Sequence, residues 1–315
     1  MTQAAVPLPE SAYPELAALT HRTDPDHPLA PETLRVEKAR LREGERLEYL
    51  GVRAEERLRA AAQVRVEPSG RAQFKLYLPE VAFGQGLEDA LWTAARQILA
   101  RAGARQVVTA LPSTRTAALE YLTRLGFREA DRMHESRLDL TRFNPTAFAA
   151  VLERAQTHGH ALRSLAEYGR GEAHERALYA LTLRLLRDVP SREPLDPWPF
   201  EVWRSRALAP EILLPELWML AQTGERLVGL SQLLADPAQP QLLRTGLTGV
   251  LPEARRQGLA TALKVAALTR AKARGYREVR TMNHAVNARM LGINQRLGFT
   301  RCPPTLLLAL EGPFT

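Results

Sequence analysis

The stretch from Leu247 to Phe299 decides the fold of this chain, and it opens with LTGVLPEARRQGLATAL at positions 247–263. A strand-like run at 247–250 turns into a loop, and an alanine-rich helical pattern then continues to Gly275. A loop that leads from a strand into a helix exposes backbone N–H groups at the positive end of the helix dipole. This order of elements therefore predicts an anion site.

The composition of the loop suits a pyrophosphate. Gly258 and Ala260 leave room for a ligand to approach the main chain, and Arg255 and Arg256 can add charge-assisted contacts to phosphate oxygens. Loops between strands and helices also contain arginine and glycine for solubility and turning, so the loop alone is a weak signal.

The flanking residues make the signal specific. The pattern V-x-P-x-x-R-x-x-G-x-A at 250–260 resembles the acetyl-CoA signature of the GNAT superfamily of N-acetyltransferases. Downstream, Asn287 precedes Asn294 by seven residues, and Leu297-Gly298-Phe299 is similar to the Gly-Phe turn of that family. The resemblance implies acetyl-CoA as the acetyl donor and an acceptor that is a small-molecule or peptide amine.

In that family the acetyl group passes to the amine by direct attack in a ternary complex. The resemblance implies that an N–H near Val250 polarises the thioester carbonyl, that the loop holds the pyrophosphate and that Asn287 contacts the pantetheine or thiol region. The predicted cofactor-binding residues are Val250, Arg255, Arg256, Gln257, Gly258, Leu259, Ala260 and Asn287.

The acid of the reaction departs from the family pattern. The position four residues before Gly298, where the family usually has a tyrosine, is Asn294. Asparagine can donate a hydrogen bond to sulfur but does not readily give up a proton. Asn294 thus stabilises a thiolate, or water protonates it, or the chain is an inactive CoA-binding or scaffold protein. Glu216 and His284 are weak candidates for the general base, and ordinary surface roles suit both better.

An internal repeat extends over most of the chain. The pattern G-L-x-x-A-L-x-x-A-A occurs at 86–95 and again at 258–267, 172 positions later, and Leu125-Gly126-Phe127 recurs at 297–299 with the same shift. The chain is thus predicted to be α/β, with two tandem GNAT-like units, each a mixed, largely antiparallel sheet flanked by helices. This two-copy architecture resembles mycothiol synthase. The predicted domains are 1–143 and 144–315, and a helix at 146–158 opens the second.

Only the second copy retains the ligand residues. The first has Phe83 and Gly84 in place of the two arginines, and Arg115 in place of Asn287. We therefore predict that the first copy is degenerate and that one CoA site lies in the second. The proline-rich bend at 188–199 and the helix before it are expected to line the acceptor cleft. The chain is expected to be a monomer that acts as a pseudo-dimer, or a homodimer.

Composition and charge indicate the kind of protein, its partners and its location. Apolar residues make up 45% and charged residues 25% of the 315 positions, as in globular proteins, and no apolar run is long enough to span a bilayer. The net charge of +8 suits a CoA site, and because basic residues alternate with acids, a nucleic-acid partner is disfavoured. The single cysteine, Cys302, and the absence of a signal-peptide pattern favour a cytoplasmic location.

Two remaining groups of residues carry no predicted chemistry. His158 and His160 lack acidic or cysteine partners at metal-ligand spacing, so no metal site is expected. The three tryptophans at 198, 203 and 218 are better explained as core or cleft-wall residues than as a stacking platform.

Overall fold

A computed structural model describes residues 4–54, 56–189 and 197–314. The chain forms two compact units, one of Met1–Met133 with Pro303–Thr315 and the other of His134–Cys302. These units differ from the sequence copies 1–143 and 144–315. The difference arises because the last strand of the chain pairs with strands of the first unit.

The elements follow the periodicity of the sequence. The strands are β1 (Val6–Pro7), β2 (Arg46–Ala54), β3 (Arg57–Val66), β4 (Arg71–Tyr77), β5 (Gln106–Pro112), β6 (Arg128–Asp139), β7 (His160–Ser164), β8 (Met219–Thr223), β9 (Arg226–Ala235), β10 (Leu242–Val250), β11 (Glu278–His284), β12 (Thr300–Arg301) and β13 (Thr305–Glu311). The α-helices are α1 (Tyr13–Thr23), α2 (Pro31–Ala39), α3 (Leu87–Arg101), α4 (Thr116–Arg124), α5 (Ala149–Thr157), α6 (Leu165–Tyr168), α7 (Glu172–Leu186), α8 (Phe200–Ala207), α9 (Leu259–Ala273) and α10 (Ala288–Arg296).

The first unit contains the sheet β1-β2-β3-β4-β5-β13-β6. Its pairs are antiparallel except β4 with β5, which run parallel. Strand β13 inserts between β5, which it pairs along its whole length, and the first half of β6. This sheet confirms the mixed, largely antiparallel architecture.

The second unit contains the sheet β6-β11-β10-β9-β8-β7, with β12 on the second half of β6. Strands β10 and β11 pair in parallel only at Leu242–Arg244, whereas β10 remains paired to β9 as far as Val250. The carboxyl-terminal half of β10 therefore has an open side. Helix α9 packs with one face of this sheet in one apolar cluster, and α7 and α8 pack in another.

The repeat is confirmed in three dimensions. Helices α3 and α9 begin 172 positions apart and have the same length, as do α4 and α10. The glycine before each long helix is left-handed, with φ of 80° at Gly86 and 78° at Gly258. One difference is that β6 is continuous while its counterpart is divided into β12 and β13. The division falls at Pro303-Pro304, where two missing N–H donors break the ladder.

The helix expected at 146–158 is a 3₁₀ turn followed by α5. The proline-containing segment 24–28 lies between α1 and α2, and the first strand is only two residues long. None of the helices in the described residues is long and apolar enough to cross a membrane.

Candidate active site

The open end of β10 presents a backbone donor. The Leu251 N–H donates to the Val228 carbonyl at 2.8 Å, so this pair is the hydrogen-bonded one in the antiparallel ladder. Because such pairs alternate, the N–H of Val250 points away from β9, toward the side that β11 leaves open. Val250 is buried, with 7% exposure, and lines a cleft. Its role as a donor to the thioester carbonyl stays a prediction.

The loop after β10 turns into α9 through two left-handed residues. A 3₁₀ turn at Pro252–Ala254 leads to Arg256, with φ of 63°, and to Gly258, with φ of 78°. A Cβ at Gly258 would have only one neighbour within 4 Å, Val151 at 3.8 Å, so the backbone angle rather than crowding by protein demands glycine. The free N–H groups of the first turn of α9 face the cleft at Leu259, Ala260 and Thr261.

Arg255 lines the cleft and also bonds to protein groups. Its Nε donates to the Val250 carbonyl at 3.0 Å, and its guanidinium pairs with Asp188, which follows α7. These bonds tie the loop to the end of β10 and to the segment after α7. Arg255 therefore anchors the loop, and the phosphate contact expected of it stays a prediction.

Arg256 remains available for a ligand. It is exposed, lines the cleft and has no ion pair among the described residues. A left-handed conformation costs a non-glycine residue roughly 1–2 kcal/mol, and the first copy has Gly84 with φ of 83° at the equivalent position. The second copy keeps an arginine despite this cost, which favours a binding role for its side chain.

The cleft has a volume of about 820 Å³ and is bounded by α7, the end of β10, the loop and α10. Helix α10 adds Arg289 and Arg296, which the sequence interpretation missed. Their spacing of seven residues on one helix, on the side that carries Met290 and Ile293, was the available signal. With Arg256 they supply three cleft-lining guanidinium groups, and none has an ion pair among residues 4–54, 56–189 and 197–314.

The Gln257 side chain is not among those that line the cleft. Its Oε1 lies 2.6 Å from Nε2 of His160, whose Nδ1 lies 2.8 Å from the Thr223 hydroxyl. His160 is buried, with 5% exposure, and these two hydrogen bonds connect the loop to β7 and β8. The Gln257 side chain therefore supports the loop instead of lining the cleft.

The two predicted asparagines differ in position. Asn287 lines the cleft and caps α10, with its Oδ1 accepting from the Met290 N–H at 3.2 Å. Asn294, the predicted thiolate partner, is only 1% exposed and does not line the cleft. Its Nδ2 donates to Oδ1 of Asn283 at 2.8 Å, and its Oδ1 has no partner among the described residues. The helical face that buries Leu291 also buries Asn294.

We expect Asn294→Ala to leave the affinity for CoA within about threefold of wild type, because the side chain lies beneath the cleft surface. Loss of its hydrogen bond to Asn283 should instead lower the free energy of unfolding by about 1 kcal/mol. Calorimetry with CoA and urea unfolding would measure the two quantities. A tenfold loss of affinity without a change in stability would contradict this placement.

Neither predicted base lines the cleft. Glu216 lies 3.7 Å from the Arg274 guanidinium, and His284 ends β11. The nearest hydroxyl group to Val250 in the cleft wall is on Thr248, which shares a 3.0 Å hydrogen bond with Ser231. Of the proline-rich bend, Asp188 and Val189 line this cleft, and residues 190–196 lie outside the described residues. That the bend lines the acceptor cleft stays a prediction.

In the first copy, a side chain of the protein occupies the equivalent loop. Oε1 of Glu88 accepts from the Gly84 N–H at 2.6 Å, and Glu88 is 2% exposed. The equivalent position in the second copy is Ala260, which has no side chain that could reach the loop. A carboxylate thus occupies the loop of the first copy, where an anionic ligand would compete with it.

Helix α9 of the second copy contains a buried lysine. Lys264 of α9 is 3% exposed, and its Nζ lies 5.5 Å from the centre of the Phe299 ring. Burial lowers the pKa of Lys264 to about 8. The first copy has Trp92 and Phe127 at the equivalent positions, with ring centres 5.6 Å apart. No group of three or more metal-ligating side chains occurs in the described part of the chain.

Known proteins resemble this chain in sequence over part of the second copy and in fold over the whole chain. Residues 180–299 match the family model described as "Acetyltransferase (GNAT) family". No curated protein sequence gives a significant match. A GCN5-related N-acetyltransferase from Sphaerobacter thermophilus has a similar structure, with a TM-score of 0.71 and 22% identity over 98% of this chain and 95% of that one.

Two further solved structures also cover both copies. A tandem GNAT protein from the clavulanic acid biosynthesis pathway gives a TM-score of 0.76 with 18% identity, over 98% of each chain. An acetyltransferase of the GNAT family from Colwellia psychrerythraea gives 0.60 with 13% identity, over 98% of this chain and 99% of that one. At these identities the likeness defines the fold alone.

The family match assigns residues 180–299 to a GNAT acetyltransferase domain, and the similar structures share the fold of the whole chain. The matched segment contains β10, the loop, α9 and α10, and the two-copy fold is shared with the tandem GNAT protein named above.

Proposed function

We propose that the second copy transfers an acetyl group from acetyl-CoA to an amine by direct attack. The observation that carries this proposal is the open loop after β10, with its left-handed Arg256 and Gly258 and the N–H of Val250 at one end. Members of the GNAT family generally use acetyl-CoA, and the three free arginines of the cleft suit its phosphates.

The reaction needs one new bond and one broken bond. The amine nitrogen bonds to the thioester carbonyl carbon, the carbon–sulfur bond breaks, and CoA leaves as a thiolate. The proton that the amine loses passes to the sulfur, directly or through water. The Val250 N–H would stabilise negative charge on the carbonyl oxygen, and Arg256, Arg289 and Arg296 would hold the phosphates.

The amine must reach the thioester unprotonated. The lining of the cleft includes one carboxylate, Asp188, and this is paired with Arg255. Positioning is therefore the main contribution of the protein. Thr248, two residues before Val250 in β10, has a cleft-lining hydroxyl group that could assist proton transfer or hydrogen-bond to the sulfur.

We expect Thr248→Val to reduce kcat about tenfold with little change in the affinity for CoA. Valine keeps the shape of the side chain but removes a hydrogen bond to a group that gains charge during the reaction. Thiol release and calorimetry would separate the two effects. A fall in affinity equal to the fall in kcat would place Thr248 in cofactor binding instead.

The direct test of the proposed activity is a screen of amines with acetyl-CoA, in which thiol release and the acetylated amine are both detected. Gly258→Val, which should not bind acetyl-CoA, serves as the control for background hydrolysis. Acetyl-CoA binding without transfer to any amine would favour the alternative of an inactive CoA-binding protein.

A further inference from the structure

A second cavity of about 370 Å³ lies within the same unit, on the α7 side of β10. We call it the aromatic cavity, because its walls include Tyr179, Trp198, Trp203 and Trp218, with Leu234 and Leu247 from β9 and β10. No Asp, Glu, Lys, Arg or His is among its lining residues in the described part of the chain. The cavity therefore suits the uncharged, apolar part of a ligand.

The walls are held by contacts among the aromatic rings. The rings of Tyr179 and Trp203 lie 5.3 Å apart, and the Tyr179 hydroxyl donates to the Trp198 carbonyl at 2.6 Å. Trp198 is 36% exposed and forms part of the rim, and the Arg206 guanidinium lies 4.8 Å from the centre of its ring. These contacts define the shape of the cavity without a ligand.

The same two elements line both cavities. Helix α7 contributes Leu186 to the aromatic cavity and Leu185 to the acetyl-CoA cleft, and β10 contributes Leu247 and Thr248 in the same way. Leu247 and Val250 are about 10 Å apart at the usual rise of a strand. A ligand in the aromatic cavity thus lies within a short linker of the N–H that would hold the thioester carbonyl.

One buried donor lacks a partner. Trp218 is 1% exposed and lines the aromatic cavity, and its Nε1 makes no hydrogen bond within the described residues. A buried donor without a partner is costly, and a ligand oxygen would satisfy it. Two other polar groups of the wall have protein partners. The Thr182 hydroxyl donates to the Leu178 carbonyl, and Gln232 Oε1 accepts from the Leu247 N–H.

We propose that the aromatic cavity receives the acceptor, and that the acceptor is an arylalkylamine, with its ring in the cavity and its amine directed past Leu185 toward Val250. This inference rests on the proposed acetyl transfer. It disfavours polyamines, aminosugars and basic peptides as acceptors, because the described lining residues include no carboxylate to pair with their charges and few hydroxyl groups to bind sugars. An apolar surrounding also favours the neutral amine that the reaction requires.

The acceptor test compares phenethylamine with spermidine and glucosamine. We expect kcat/KM for phenethylamine to exceed that for either polar amine at least tenfold. Ala207→Phe adds a ring to the lining of the cavity and should raise KM for phenethylamine at least tenfold, with the affinity for CoA unchanged. The matched control is Ser205→Phe, which adds the same ring to an exposed position of α8 and should behave as wild type.

A second comparison tests the buried donor. Phenethylamines with a methoxy group at each ring position are compared with the parent amine. At least one isomer should bind about threefold to tenfold more tightly than the parent to wild type, and Trp218→Phe should remove that gain. An equal gain in both proteins would show that the Trp218 Nε1 does not contact the ligand.

Binding of phenethylamine, followed by tryptophan fluorescence in the presence of CoA, separates this proposal from the proposed activity. If phenethylamine binds to wild type and not to Ala207→Phe but no amine is acetylated, the cavity proposal stands and the transfer proposal fails. If other amines are acetylated and phenethylamine neither binds nor reacts, the cavity proposal fails alone. A preference for spermidine or glucosamine would likewise overturn it.

Discussion

Gly258→Val is expected to reduce the affinity for acetyl-CoA at least 100-fold. Gly258 has φ of 78°, which a β-branched residue adopts only with strain, and the new side chain would project from the turn that gives the loop its free N–H groups. Calorimetry with CoA would measure the loss. Arg256→Ala should have a smaller effect, about tenfold to 100-fold, because it removes one charge-assisted hydrogen bond of about 1.5–3 kcal/mol.

The first copy supplies a matched control for this variant. Gly86 has φ of 80° at the equivalent turn, so Gly86→Val introduces the same strain in the other copy. We expect Gly86→Val to lower stability and to leave the affinity for acetyl-CoA unchanged. Equal losses from the two substitutions would show that both loops contribute to binding, which contradicts the asymmetry that Glu88 and Ala260 create.

Lys264→Met is expected to raise the free energy of unfolding by about 3 kcal/mol at pH 7. Burial lowers the pKa of this lysine from 10.5 to about 8, which corresponds to roughly 3 kcal/mol of preference for the neutral form. The aromatic pair of Trp92 and Phe127 shows that an apolar side chain packs well at the equivalent position of the first copy.

The pH dependence of this stability difference tests whether Lys264 causes it. The folded protein disfavours the charged lysine, so the destabilisation is complete below pH 8 and disappears as the pH rises from about 8 to 10.5. The difference in stability between Lys264→Met and wild type should therefore shrink over that interval. Urea unfolding at pH 7 and pH 10 would measure it. A difference that stays constant with pH would show that Lys264 is not the responsible group.

The sequence was sufficient for the local structure and the repeat. Left-handed glycines such as Gly86 and Gly258 mark the same turn in both copies, and the helices after them have clear apolar periodicity. The proposed acetyl-CoA loop could be assigned for the same reason, because its properties reside in consecutive residues.

Long-range contacts could not be predicted in this way. The Arg255 partner Asp188 lies 67 positions away, and β13 joins a sheet whose other strands are at 6–133. The burial of Asn294 depends on which face of α10 packs inward, which a motif alignment does not test. The filled loop of the first copy required the geometry of Glu88, although its counterpart Ala260 was visible in the repeat.

We propose that each chain has one acetyl-CoA site and that this site lies in the second copy. Isothermal titration of wild type, Gly258→Val and Glu88→Ala with acetyl-CoA counts the sites and locates them. We predict one site per chain in wild type, lost in Gly258→Val and retained in Glu88→Ala, which removes the carboxylate from the first loop without changing the second. Two equal sites in wild type, or one site that persists in Gly258→Val, would show that the second loop is not the single binding site.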